Sequence, residues 1–139
     1  MSLEMLVFLE KSRIPDRGSL QSAVESLGVP LQLNSTLDLI GDRGFSPSSI
    51  KGVSSGFEID SQSSQEILEH YPALKKTIGT REWTISFRWG SSMSECACVL
   101  GASAALVKLC DAVAYYPPDS ITYDLKSLLD ELQGCLKQI

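Results

Sequence analysis

Polar side chains that could do chemistry recur at alternate positions in three separate stretches of the sequence. Asp38, Glu58 and Asp60 are carboxylates that could serve as general acid and base, and Arg88 could hold an anion. If the three stretches are strands of one sheet, alternate side chains project from the same face, and these groups share a surface. The predicted surface consists of Gln32, Asn34, Thr36, Asp38, Glu58, Asp60, Thr84, Ser86 and Arg88.

This predicted surface has a structural interpretation and a functional one. Antiparallel sheets often leave one polar face in water, and a solvated face needs no further role. The functional interpretation is a hydrogen-bonding, acidic surface for a basic protein or a polar small molecule. The residues predicted to bind are Asn34, Asp38, Glu58, Asp60, Ser86 and Arg88.

Motifs of familiar catalytic, metal and cofactor sites are missing from the sequence. His70 is the only histidine and has no cysteine near it in the chain. Cys96 and Cys98 are two positions apart on a predicted helix, so their side chains diverge and cannot share a metal ion. The segment 41–44 lacks the lysine and hydroxyl residue of a phosphate-binding loop. We therefore predict neither a metal site nor a bound cofactor.

Hydrophobic periodicity predicts about five strands to carry the polar surface. Residues 83–89 alternate most clearly, with tryptophan, isoleucine and phenylalanine on one side and threonine, serine and arginine on the other. Leucines alternate with polar residues in 31–40 in the same way. The predicted strands are 4–11, 31–40, 56–60, 83–89 and 113–116, and residues 41–55 are predicted to form a long surface loop.

About four helices are predicted from helical spacing and capping residues. Ser92 and Glu95 have the spacing of a capping box ahead of an apolar run. Pro72 must kink or divide the helix in which it lies. Ser120 or Thr122 is expected to cap the last helix. The predicted helices are 20–27, 63–78, 92–110 and 125–136, which gives an α+β fold with helices mainly on one face of a largely antiparallel sheet.

Length and charge narrow the classes of partner. A chain of 139 residues fits one domain, 1–139, with one sheet. Its formal charge of −5 disfavours binding to nucleic acids and to anionic membranes. The four cysteines are predicted to be reduced, because they fall in helices. The short apolar run near the start has no basic leader, so a cytoplasmic location is expected.

Four short motifs carry a resemblance to known proteins. They are Gly44-Phe45-Ser46-Pro47, Ser55-Gly56-Phe57-Glu58, Ser86-Phe87-Arg88-Trp89-Gly90 followed by Glu95, and Tyr115-Tyr116-Pro117. Residues 44–118 resemble small uncharacterised bacterial proteins, some carried on integron-type mobile gene cassettes and some grouped with toxin-immunity proteins. The resemblance implies a bacterial origin and a small α+β architecture, and it implies no particular chemistry.

The sequence is compatible with two functional hypotheses. The leading hypothesis is a non-enzymatic binding or interaction protein, of the immunity type, because small size and acidic charge accompany the missing catalytic motifs. The alternative is a small hydrolase or small-molecule-binding protein, with Asp38, Glu58 or Asp60 as acid or base and Arg88 as anion holder. A deep pocket collecting these side chains would favour the alternative, and a flat polar sheet would favour the binder.

Overall fold

A seven-stranded antiparallel sheet forms the centre of the protein in a computed structural model that describes residues 2–139. The predicted class, α+β with one antiparallel sheet, is confirmed, but the sheet has seven strands rather than about five. In space the strand order is β2-β3-β4-β5-β1-β6-β7. The strands are β1 Leu3–Leu9, β2 Leu31–Gln32, β3 Gly44–Ile50, β4 Val53–Ser63, β5 Trp83–Trp89, β6 Val113–Tyr116 and β7 Ile121–Tyr123.

Five α-helices accompany the sheet, one more than the predicted four, because the chain around Pro72 forms a 3₁₀ turn that separates two helices. The pyrrolidine ring of Pro72 cannot continue the preceding helix, and the turn Pro72–Leu74 follows at once. The helices are α1 Arg17–Ser26, α2 Ser64–His70, α3 Lys75–Ile78, α4 Met93–Cys110 and α5 Leu125–Leu136.

Strand β1 separates two hydrophobic cores. Its odd-numbered residues, including Met5 and Val7, face the large core under α1, α4 and α5. Leu6 and Phe8 point to the opposite, outer side, where α2 and α3 cover them together with Tyr115. The three longest helices therefore lie on one face of the sheet, as predicted. The short helices α2 and α3 cover part of the outer face.

Strand β5 and helix α4 form where the sequence predicts them. The hydroxyl of Ser92 accepts a hydrogen bond from the Glu95 amide, which begins α4. The Glu95 carboxylate accepts from the Gly90 amide at 3.0 Å rather than from Ser92, so only half of the predicted capping box forms. By length and composition α4 could cross a membrane, but 61% of it is buried inside this fold, as in many core helices.

The prediction of a strand over 31–40 is wrong beyond Gln32. The leucines are buried as predicted, yet beyond Gln32 the segment leaves the sheet. Backbone groups near its start bond side chains of α1, and those of residues 37–42 form local turns. Gln21 donates to the Leu31 carbonyl at 2.9 Å and accepts from the Leu33 amide at 2.8 Å. Arg17 donates to the carbonyl of Leu33 at 2.8 Å. The backbone groups just after β2 are thus satisfied by side chains rather than by a sheet ladder.

The predicted loop over 41–55 is also wrong, because most of it is a β-hairpin formed by β3 and β4. Lys51 and Gly52 make the turn with φ values of 51° and 76°, the left-handed conformation of tight hairpin turns. Pro47 is tolerated within β3 because β2 pairs only with Ser49 and Ile50 and leaves that edge open.

The segment before the last helix contains a strand that was not predicted. Strand β7 pairs with β6 after a 3₁₀ turn at Pro117–Asp119. Helix α5 is capped by Asp124 rather than by Ser120 or Thr122, because those two residues precede or belong to β7. The four cysteines are free thiols on α4 and α5, as predicted.

Candidate functional site

The exposed half of the outer sheet face brings charged side chains together through strand register. Strands β4 and β5 place Glu58 opposite Arg88 and Asp60 opposite Ser86. Strand β1 places Glu4 on the other side of Arg88. Glu58, Arg88 and Glu4 therefore form one row of alternating charge, with Asp60 and Ser86 in the adjacent row. Cross-strand partners on one face lie only about 5 Å apart.

Each of these rows contains one ion pair. Arg88 Nε lies 3.1 Å from Glu4 Oε2, and the Arg88 side chain is 48% exposed. Arg43, which directly precedes β3, pairs with Asp60. We call this surface the outer polar face; it consists of Glu4, Arg43, Phe45, Glu58, Asp60, Ser86 and Arg88.

A shallow cleft of about 110 Å³ lies within the outer polar face. Its wall includes Arg43, Glu58, Asp60, Ser86 and Arg88, which come from three strands and their ends. A cleft of this size is smaller than a typical ligand pocket of roughly 300 Å³ or more. The outer polar face is therefore close to flat. Its polar groups could form hydrogen bonds or ion pairs with another molecule in place of those they form with each other.

Four of the six predicted binding residues meet in this cleft, namely Glu58, Asp60, Ser86 and Arg88. Arg88 is the one basic residue of the surface predicted from the sequence, and in the structure Arg43 joins it. Carboxylates still outnumber guanidinium groups on the outer polar face, since Glu4 is the third acid. Arg43 was missed because its position opposite Asp60 follows from the β3–β4 register, and this segment was predicted to be a loop.

Asn34 and Asp38 do not line the cleft. Asn34 offers its carbonyl to Arg17 Nε at 3.2 Å. Asp38 forms a local turn in which its carboxylate accepts from the Ile40 amide at 3.0 Å. Both residues lie in the irregular chain after β2, so the predicted surface across three strands loses its first strand.

Thr84 was predicted on the same surface and is buried instead. Its hydroxyl lies 2.8 Å from the Ser64 hydroxyl at the start of α2, which covers this end of β5. Ser86 lies at the edge of this cover and is only 5% exposed. The open part of the outer face therefore comprises β3, β4, the far end of β5 and the start of β1 at Glu4.

Phe45 is an exposed aromatic residue beside these charges. It lies opposite Glu58 in the hairpin and is 59% exposed, the highest value for a large hydrophobic residue within 2–139. Its ring covers Gly56, where an added Cβ would lie only 2.6 Å from Phe45 Cζ. Gly56 thus leaves room for the ring against the sheet. Sequence reasoning placed Phe45 in a loop and gave it no role.

A metal site has no support in this region. Among residues 2–139, no group of three or more histidine, cysteine, aspartate or glutamate side chains is arranged to hold a metal ion.

Comparison of the chain with protein-family models, with curated proteins and with solved structures finds no match. The resemblance to bacterial cassette and immunity proteins therefore stays a prediction.

Proposed function

We propose that this protein is a non-enzymatic binding protein that recognises a partner protein through the outer polar face. The observation that carries the proposal is the convergence of Arg43, Glu58, Asp60, Ser86 and Arg88 on one shallow cleft. A flat surface with paired charges suits a protein partner, because a partner can supply counter-charges at several points simultaneously.

Phe45 supports a protein partner over a small polar ligand. An exposed aromatic ring next to charged groups is the usual composition of an interface anchor with a polar rim. Burying this ring against a partner would remove apolar area from water and contribute to affinity. The ion pairs around it would then provide orientation and specificity.

The partner is expected to present mainly basic groups. Glu4, Glu58 and Asp60 outnumber Arg43 and Arg88 on the face, and the whole chain carries a formal charge of −5. This field would accelerate encounter with a basic protein, and the acceleration would decrease as salt screens it. Neutralisation of a toxin is one form of this proposal, and it rests on the sequence resemblance alone.

The test uses three variants with a matched control. The wild-type protein is used to isolate a partner from extract of the encoding organism, and the purified partner is then titrated with Glu58→Lys, Phe45→Ala and Arg88→Glu. Asp130→Lys makes the same charge change as Glu58→Lys on exposed α5, away from the outer polar face.

We expect Glu58→Lys to slow association, and Phe45→Ala to weaken binding by roughly tenfold or more, the size of a moderate interface hot spot. Asp130→Lys should bind like the wild type. Equal affinity of the wild type, Glu58→Lys, Phe45→Ala and Arg88→Glu would exclude the outer polar face as the binding surface.

A further inference from the structure

A second concave site lies on the inner side of the sheet, away from the outer polar face. It has a volume of about 280 Å³, close to the lower limit of about 300 Å³ for small-molecule pockets. Strands β1, β5, β6 and β7 and helices α4 and α5 all contribute to its wall. We call it the aromatic pocket.

Three aromatic rings line the aromatic pocket one after another. Trp89 from β5 and Tyr116 from β6 are stacked with ring centroids 6.1 Å apart. The ring of Tyr123 from β7 follows, with its centroid 6.5 Å from that of Tyr116. The rest of the wall is largely aliphatic, and the Cys96 thiol lies within it. Such a wall offers apolar contact and the negative faces of aromatic rings.

Two carboxylates complete the wall. Asp119 comes from the 3₁₀ turn after β6, where Pro117 and Pro118 restrict the backbone, and Glu131 comes from α5. Burial raises the pKa of the Tyr123 phenol, and the carboxylates of Glu131 and then Asp119 raise it further. Both negative charges therefore act at the same ring, although they belong to different elements.

Within the described part of the chain, no positive charge in the pocket wall balances these carboxylates. Of residues 2–139, no lysine or arginine contributes to its wall. The Cys96 thiol stays neutral at physiological pH, because burial and the neighbouring Cys135 thiol raise its pKa to about 12. The ligand that complements such a wall is a cation with an apolar body, since aromatic faces and carboxylates both attract positive charge.

We propose that the aromatic pocket binds a small organic cation, an amine or ammonium compound, whose charge lies between Asp119 and Glu131 and whose apolar part contacts Trp89, Tyr116 and Tyr123. This site does not depend on the outer polar face. Binding at one can therefore fail while binding at the other persists.

The test compares three probes of similar size that differ in charge. Phenethylamine is a cation at neutral pH, 2-phenylethanol is its neutral counterpart, and phenylacetate is an anion. Each is titrated into the labelled protein to low-millimolar concentration while amide and tryptophan side-chain resonances are followed by NMR. We expect phenethylamine to shift the Trp89 side-chain signal and amides of 116–123, with affinity about tenfold above that of 2-phenylethanol. Phenylacetate should cause no shift there.

Variants assign the charge preference to the two carboxylates. Glu131→Gln and Asp119→Asn are exposed, conservative changes, and each should reduce phenethylamine affinity by about three- to tenfold with little change for 2-phenylethanol. Asp130→Asn is the matched control, because it removes the neighbouring carboxylate outside the pocket, and it should bind like the wild type. Similar affinity for all three probes, shifts confined to another surface, or no shift with phenethylamine would overturn the proposal.

Discussion

At the scale of single residues, the aromatic side chains divide between core and surface roles. Phe87 is fully buried and meets the ring of Phe57 edge to face, with centroids 5.0 Å apart. Phe45 lies on the same sheet but on its outer side, with most of its ring in water. Replacing each phenylalanine by alanine therefore compares a buried position with an exposed one.

Phe87→Ala should lower the free energy of unfolding by about 3–5 kcal/mol, because it removes a buried ring and leaves a cavity. Phe45→Ala should change it by no more than about 0.5 kcal/mol, since exposed substitutions usually have small effects. Urea denaturation followed by circular dichroism measures both. A Phe87→Ala variant as stable as Phe45→Ala would contradict the assignment of Phe87 to the large core.

At the scale of secondary-structure elements, backbone conformation and capping determine where strands and helices begin and end. The β3–β4 hairpin depends on Gly52 at its turn, and α5 depends on the Asp124 cap. Asp124 accepts from the Ser127 amide at 2.8 Å, and Ser127 in turn accepts from the Asp124 amide at 3.0 Å. Each feature can be tested by changing one residue.

Gly52→Ala should destabilise the protein by about 1 kcal/mol, because an L-residue at a φ of 76° is strained. Gly134→Ala should stabilise it by about 0.5–1 kcal/mol, because alanine favours the interior of a helix such as α5. An added methyl group meets no atom within 4 Å at either position, so packing does not determine the sign. Thermal unfolding of the two variants should therefore show shifts in opposite directions, and a common direction would contradict the assigned turn.

The Asp124 cap should make the stability of α5 depend on pH. Hydrogen bonds from Ser127 lower the pKa of the Asp124 carboxyl below its ordinary value of 3.8. The carboxylate therefore contributes stability above pH 3.8, and this contribution is lost as pH falls through the lowered folded-state pKa. Asp124→Ala should be less stable than the wild type at pH 6, and the difference should shrink in acid.

Asp124→Asn is the control for this pH dependence. Asparagine also caps helices but does not titrate, so it should stay closer to the wild type in stability at pH 6. Urea denaturation at several pH values from 6 downward gives the comparison. A difference between wild type and Asp124→Ala that stays constant down to pH 2 would show that the carboxylate charge plays no part in the cap.

At the scale of the whole molecule, two cores of unequal size lie on the two sides of β1. The large core unites α1, α4 and α5 with most strands, whereas α2 and α3 cover a small core that includes Phe8, Ile78 and Tyr115. Helices held by few buried contacts open at lower free energy than helices inside the main core. The covered half of the outer face is therefore expected to be the less stable part.

Native-state hydrogen exchange should show this difference. Amides of α2 and α3 should exchange through a partial opening, while amides of β1, β5 and the middle of α4 exchange only with global unfolding. Ile78→Ala should accelerate exchange in α2 and α3 more than exchange in α4. Equal protection of all these elements would mean that the two cores unfold as one unit.

Local patterns in the sequence determined much of this structure. The spacing of residues 83–89 predicted β5, the capping residues Ser92 and Glu95 predicted the start of α4, and the alternation over 31–40 correctly predicted which leucines are buried. These features depend on a few neighbouring residues, because side-chain periodicity and helix caps are local properties.

Only the tertiary structure decided which distant groups meet. Gln21 and Arg17 on α1 hydrogen-bond backbone groups of Leu31, Leu33 and Asn34, and the predicted second strand ends at Gln32. Pairing of β3 with β4 brings Arg43 to Asp60, and the β6–β7 pairing helps to form the aromatic pocket. A backbone group can bond many chemically equivalent partners, and a charge can pair with many opposite charges. The tertiary fold determines which of these partners lies close enough to make the contact.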